Sequence, residues 1–331
     1  MLLRQFKRTG PLTIFLIVVI LVSLWTGAFI RQRGQFSLYF DLDPMPFYGL
    51  LSELTGTHPI PGIISSLIIV GLMAFLMVNL NTVLFFINER SFIPALFYIL
   101  LSGLLPQYQL LNPAIIAAVF LMLAIRRIME SYRIQGTAYN FFDAGILIAT
   151  GSLFYANLIW FGLILIAGIA LLRPWNLKEV VLSVLGLLTP YLLTLGFYYV
   201  AGADIAGFLR LMNYNLFGMQ AQFAFSPLII VGLILTGLLT AAGIAHLFAM
   251  INSKKIQSRK TFTLLLWVFI ISMVIYLIIP AVSVEIIWIT AIPVSYFLSH
   301  YFLFLRRKLL AEILFTLFLV LILAIQLFSL L

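Results

Sequence analysis

The strongest constraint in this chain is a succession of long apolar runs divided by short basic clusters that keep falling on the same side. Read as membrane spans, the runs put every one of the 19 Lys and Arg residues on one side of a bilayer except Arg31, Arg33 and Arg210. That side carries Arg4, Lys7 and Arg8, then Arg90, then Arg126, Arg127 and Arg133, then Arg173 and Lys178, then Lys254, Lys255, Arg259 and Lys260, and last Arg306, Arg307 and Lys308. Short cytoplasmic loops hold the excess of Lys and Arg, so the pattern gives an N-terminus inside and a C-terminus outside. The loops at residues 31–61 and 202–225 then face outward.

Composition supports the spans. The chain is 64% hydrophobic and 9% charged, whereas a soluble domain carries roughly a quarter charged residues. The runs are continuous rather than alternating, and a membrane strand needs only about 10 residues, so helices are expected and a barrel is not. The net charge of +9 is a topology signal. Its basic residues come in small groups between spans rather than along one face, which argues against nucleic acid as a partner. The absence of Cys rules out disulfides and thiolate metal sites. Residues 11–30 are long for the apolar part of a signal peptide and lack a small-residue cleavage pattern, so they read as an uncleaved first span.

The expected fold is therefore all-α and polytopic, with about eleven spans at 11–30, 62–87, 91–105, 113–125, 140–155, 156–172, 179–201, 226–250, 261–280, 284–304 and 309–331. The four runs between 91 and 172 are each shorter than the roughly 20 residues that cross a bilayer upright. Pro94, Pro106, Pro113 and Pro174 punctuate them. The backbone groups that those prolines free need protein or water partners, which places this region around a cavity or a protein core.

Both outer loops contain amphipathic stretches. Asp43 suits an N-cap and Pro44 a first helical position, followed by Phe47, Leu50, Leu51 and Leu54 at helical spacing. In the second loop Phe208, Leu211, Met212, Leu216 and Met219 form an apolar stripe, with Arg210, Asn213 and Gln220 pointing elsewhere.

The candidate chemistry lies in the same loops. A carboxylate at Asp41 or Asp43, held at the interface beside apolar surface, suits proton abstraction from a hydroxyl; a helix cap is the competing role for Asp43. Arg31, Arg33 and Arg210 are the outward cations, and a guanidinium pairs with phosphate oxygens; snorkelling to headgroups is their competing role. Asn79, Asn81 and Asn88, with the hairpin tips Gln107-Tyr108-Gln109 and Tyr155-Ala156-Asn157, could line a polar pocket or join helices by hydrogen bonds. Glu53 and His58 read as solvated loop residues.

Other classes find little support. Asp143, Glu179 and Glu312 fall near inner helix ends and Glu285 at an outer turn, so no chain of ionisable residues crosses the bundle as a proton path would. His58 is expected on the opposite side from His246 and His300, so the three cannot share one metal. No glycine loop of the nucleotide-hydrolysing type occurs, and no cofactor is expected.

The order of a first span, an outer loop with the acids Asp41 and Asp43 shortly before Tyr48, a long second span and short hairpins resembles the GT-C superfamily of glycosyltransferases that use polyprenyl-phosphate sugars. Leu104-Leu105-Pro106-Gln107-Tyr108-Gln109-Leu110-Leu111-Asn112-Pro113 looks like the Pro-rich outer tip of that family, and Gly145 to Gly151 like its small-residue stretch. The resemblance covers about residues 10 to 200, giving a GT-C-like module over 1–201 and a remainder over 202–331. It implies an enzyme of the bacterial inner membrane, with Asp41 as general base supported or replaced by Asp43. It also implies Arg31 or Arg210 at the leaving phosphate, and Tyr48, Gln107, Tyr108 and Asn157 around the substrate. This chain departs from the family in having Asp-Leu-Asp rather than adjacent acids, and Tyr155-Ala156-Asn157 where many members have a Lys. Residues 88–191, with Ser91 to Tyr98 and Arg173-Pro174-Trp175-Asn176, also resemble a polytopic family of Bacteroidetes, which supplies no activity. Two other readings stand beside the enzyme: a non-catalytic membrane subunit that docks envelope proteins, and a carrier of lipids or lipid-linked sugars.

Overall fold

The computed structural model describes residues 2–7, 9–30, 43–55, 59–132, 138–172, 177–218 and 225–330, and every regular element among them is helical. The helices are α1 (Leu2–Phe6), α2 (Pro11–Ile30), α3 (Pro46–Thr55), α4 (Pro59–Leu84), α5 (Ile93–Ser102), α6 (Pro113–Glu130), α7 (Ala138–Ser152), α8 (Leu163–Leu172), α9 (Leu177–Val200), α10 (Ile205–Phe217), α11 (Pro227–Met250), α12 (Ile256–Ile278), α13 (Ile287–Phe304) and α14 (Lys308–Phe328). Single 3-10 stretches at Pro106–Tyr108 and Ala156–Gly162 turn α5 into α6 and α7 into α8.

Seven helices are long and apolar enough to cross a membrane: α2, α4, α9, α11, α12, α13 and α14. Several display apolar side chains outward, among them Leu192, Leu193 and Phe197 on α9, Ile234 and Leu238 on α11, and Val320 on α14. A bilayer accepts such surfaces and water does not. The four shorter runs expected between 91 and 172 are α5, α6, α7 and the 3-10 stretch continuing into α8, folded as two hairpins within the bundle.

At the centre stands α13. In its most apolar stretch 89% of residues are buried, against 22% to 44% in the other six long helices, and its mean hydropathy of 1.5 is the lowest of the seven. The two facts have one cause. A helix that faces lipid needs apolar side chains all along its outer surface, while one enclosed by protein can carry Thr290, Ser295, Tyr296, Ser299 and His300. The three hydroxyls bond back to carbonyls one turn earlier on α13, and the Tyr296 hydroxyl donates to the Met77 carbonyl of α4 at 2.8 Å. α13 packs on α5, α6, α11 and α12, so one hydrophobic core runs across the sequence division at 201.

The basic turns share one end of the bundle, as the charge pattern requires. Lys7 donates to the Leu303 carbonyl, and Lys260 to the Leu172 carbonyl. The Leu3 amide bonds Glu312, and Lys254 lies 3.9 Å over the Phe304 ring. The opposite end, with the last turns of α2, α9 and α14, is called the outer end after that pattern. Asn81 proves to be an inner-end residue: its side chain accepts from Ile87 and donates to the Glu89 carbonyl, closing the turn between α4 and α5. His246 and His300 also meet near the inner end, ring centroids 5.5 Å apart; His58 lies outside the described residues.

The closest helix contact joins α7 to α9. A Cβ at Gly145 would stand 2.8 Å from the Ser183 carbonyl oxygen and 3.0 Å from the Leu187 nitrogen, and one at Gly186 would collide with the Phe142 backbone. Small residues let membrane helices approach backbone to backbone in this way. Gly186→Val should lower stability by about 1–3 kcal/mol through overpacking, read as unfolding temperature in detergent, whereas Gly196→Val, with open space at its Cβ, should cost far less.

Candidate functional site

The site is built at the outer end, where the first hairpin stops short. Its tip, Leu105 to Asn112, is tied to its neighbours by side chains. Gln109 donates to the Leu24 carbonyl of α2 at 3.0 Å. Ser66 of α4 donates to the Gln109 carbonyl at 2.7 Å and receives the Trp25 indole at 2.9 Å. Asn112 caps α6 by accepting from the Ile115 amide, and Gln326 of α14 donates to the Gly103 carbonyl at 2.7 Å. Leu24 lies six residues before the end of α2 and Ser66 seven after the start of α4, so the tip sits about 10 Å below those outer ends.

Above the recessed tip is a cleft of about 420 Å³. The outer turns of α2, α4, α11 and α14 wall it through Ala28, Pro59, Ile63, Leu228, Ile325 and Phe328, and Pro106, Gln107, Gln109 and Leu110 form its floor. No charged side chain lines it among the described residues. A second space of about 370 Å³ opens between α11, α12 and α13, lined by Leu233, Gly237, Phe269, Met273, Val294 and their neighbours. It is a slot walled mainly by hydrocarbon at membrane depth, and its Thr236, Thr240 and Thr290 hydroxyls are bonded to their own helices.

The second hairpin meets a residue that the sequence placed only at a turn. Glu285, fully buried, accepts from the Tyr155 hydroxyl at 3.1 Å and from the Ser283 amide at 3.0 Å. Tyr108, from the first tip, lies within hydrogen-bonding reach of Ser283 and close to Glu285. Both hairpin tips thus converge on one buried carboxyl, and the signal for it was only an acid at an outer turn between two apolar runs.

Over the second tip lie the two surface helices. α3 begins at Pro46, two residues later than expected, because Met45 precedes a proline and is biased away from helical geometry. Its Phe47 amide donates to the Leu153 carbonyl at 3.3 Å, and the Phe47 ring meets Phe154 edge-on. Met45, Ala156 and Leu216 form a small core between α3, the tip and α10. Of the expected stripe on α10, Phe208 and Leu216 are buried and Leu211 and Met212 half-buried, with Arg210 and Asn213 exposed; Met219 and Gln220 lie outside the described residues.

The expected site residues separate accordingly. Asp41, Arg31 and Arg33 lie outside the described residues. Asp43 is exposed and sits ahead of α3, so its side chain is not the cap of that helix; its carbonyl accepts from Asn215 of α10 at 3.1 Å. Asn157, buried, donates to the Asn215 carbonyl at 3.0 Å. Asn215, which the sequence did not single out, therefore links Asp43 to the second tip. Tyr48 is buried and its hydroxyl donates to the Leu111 carbonyl at 3.1 Å, bracing the floor of the cleft. Gln107 is exposed in the cleft, while Tyr108 turns inward. Arg210 stands 3.2 Å from Asp204, both largely exposed, so water and salt screen the pair and it adds little to stability. Among the described residues no group of three or more His, Asp or Glu could hold a metal ion.

These features define a polytopic helical membrane protein with a cleft and a buried polar cluster at one end. The family model described as "Family of unknown function (DUF6427)" matches residues 51–330, and the chain belongs to that family. No curated protein and no solved structure matches it.

Removing the Tyr155 hydroxyl would leave a buried carboxyl oxygen short of a donor, a loss of about 1–3 kcal/mol. Tyr155→Phe should therefore lower the unfolding temperature clearly, and Tyr214→Phe, at an exposed position, should leave it unchanged.

Proposed function

We propose that the protein is a membrane transferase that moves a sugar from a polyprenyl-phosphate donor at the outer face of a bacterial inner membrane. The observation that supports this most is the link from Asp43 through Asn215 to Asn157, which holds Asp43 over the tip of a short hairpin. In this reading an acceptor hydroxyl attacks the anomeric carbon as the bond to the lipid phosphate breaks. Asp43 or Asp41 takes the hydroxyl proton, and the phosphate leaves with the bonding electrons, so the sugar is inverted in one step. Arg210 is an outward cation that can exchange Asp204 for a phosphate oxygen.

The topology that goes with this reading has the N-terminus inside and the C-terminus outside, with the short helices counted among eleven membrane segments. The chain contains no Cys, so single cysteines report on it directly. A membrane-impermeant maleimide should label Asn213→Cys in intact cells and should reach Lys255→Cys only after the membrane is opened; the reverse pattern overturns the orientation.

Cells lacking the gene should lose a glycan or accumulate a lipid-linked sugar, and wild type should restore the profile. The Asp41→Asn, Asp43→Asn double variant should restore less than about 1% of it, the scale of removing a general base. Full rescue by that variant ends the catalytic reading. A second reading, a non-catalytic subunit that docks envelope proteins, draws on the exposed Leu209, Tyr214 and Phe217 of α10; it predicts full rescue by the double variant together with stable co-purification of a partner.

A further inference from the structure

The outer cleft has one polar side chain to spare. Gln109 is bonded to Leu24, the Ser226 hydroxyl caps α11 by accepting from Ile229, and the Ser329 hydroxyl donates to the Gln326 carbonyl. Gln107 is the exception: it makes no hydrogen bond within the described residues and its side chain is exposed on the cleft floor. The space, about 420 Å³, falls in the range of small-ligand sites, which are apolar with a few placed polar groups.

We propose that this cleft binds the uncharged, hydroxyl-bearing headgroup of an outer-leaflet lipid, with the Gln107 amide as its polar contact. A carboxamide offers one acceptor and two donors and no charge, so it matches a hydroxyl in either sense. A phosphate or ammonium headgroup would have to leave water against Ile63, Leu228, Ile325 and Phe328 with no opposite charge among the described lining residues, which costs several kcal/mol. The acyl chains can remain in the bilayer, since the cleft lies at the outer ends of the long helices. Its floor is pinned at Gln109 by hydrogen bonds to α2 and α4, so little ordering accompanies binding.

The inference rests on the outer-face reading for its side of the membrane, but its test needs no sugar transfer, so failure of the Asp41, Asp43 experiment leaves it standing. The full chain would be placed in phosphatidylcholine nanodiscs carrying either a photoactivatable diacylglycerol or a photoactivatable phosphatidic acid with the same acyl chains, and cross-linked peptides mapped by mass spectrometry. Diacylglycerol should label residues 105–111 and 226–229 at least about tenfold more than phosphatidic acid does, the effect of leaving one charge uncompensated. Gln107→Leu, at an exposed position, should reduce that labelling about three- to tenfold, the worth of one hydrogen bond. Leu110→Trp, which fills the space from a half-buried position, should abolish it. Equal labelling by the two probes, or labelling by diacylglycerol that Gln107→Leu and Leu110→Trp both leave intact, overturns the proposal.

Discussion

Backbone polar groups that sit at membrane depth must be satisfied inside the protein, and the outer end of this molecule depends on how that is done for one hairpin. The tip between α5 and α6 stops below the level of the surrounding helix ends and all of its residues but Gln107 and Leu110 are buried, so protein groups must serve it. Ser66 of α4 serves the Gln109 carbonyl, Asn112 the Tyr108 and Leu110 carbonyls, Tyr48 of α3 the Leu111 carbonyl, and Gln326 of α14 the Gly103 carbonyl just ahead of the tip. Losing one of these would expose a buried amide or carbonyl at a cost of about 1–3 kcal/mol, so the depth of the tip is fixed as a set. The cleft above it follows from that depth.

The second hairpin is anchored through a buried carboxyl group. Glu285 accepts from Tyr155 and from the Ser283 amide, and Tyr108 brings the first tip to the same place. The two short hairpins are thereby registered to each other and to the turn ahead of α13. Above them, Asn157 and Asn215 pass the position of the second tip to α10 and to the backbone at Asp43. The exposed Asp43 is thus held, through its backbone carbonyl, by a buried framework.

Much of this was legible along the chain. The long apolar helices fall at the expected runs, the basic turns gather at one end, and the amphipathic stripe of α10 lies where its spacing put it. Tyr48, expected beside a substrate, has a carbonyl partner at Leu111, and a tyrosine in an outer loop looks the same in sequence whether it faces a ligand or a neighbouring tip. α3 starts two residues after the Asp43-Pro44 signal, because Pro46 disfavours helical geometry at Met45.

What the sequence determined by itself are properties that each run shows alone to water, lipid and charge: helical state, length, apolarity and the side on which the basic clusters lie. A bilayer tests each segment separately, so composition and period suffice. Only the tertiary structure decided that α13 is the central helix, that the first hairpin is recessed under a cleft, and that Glu285 belongs with Tyr155. Those outcomes rest on side-chain hydrogen bonds between residues 85, 130 and 223 positions apart, and no local pattern encodes a partner at such separations.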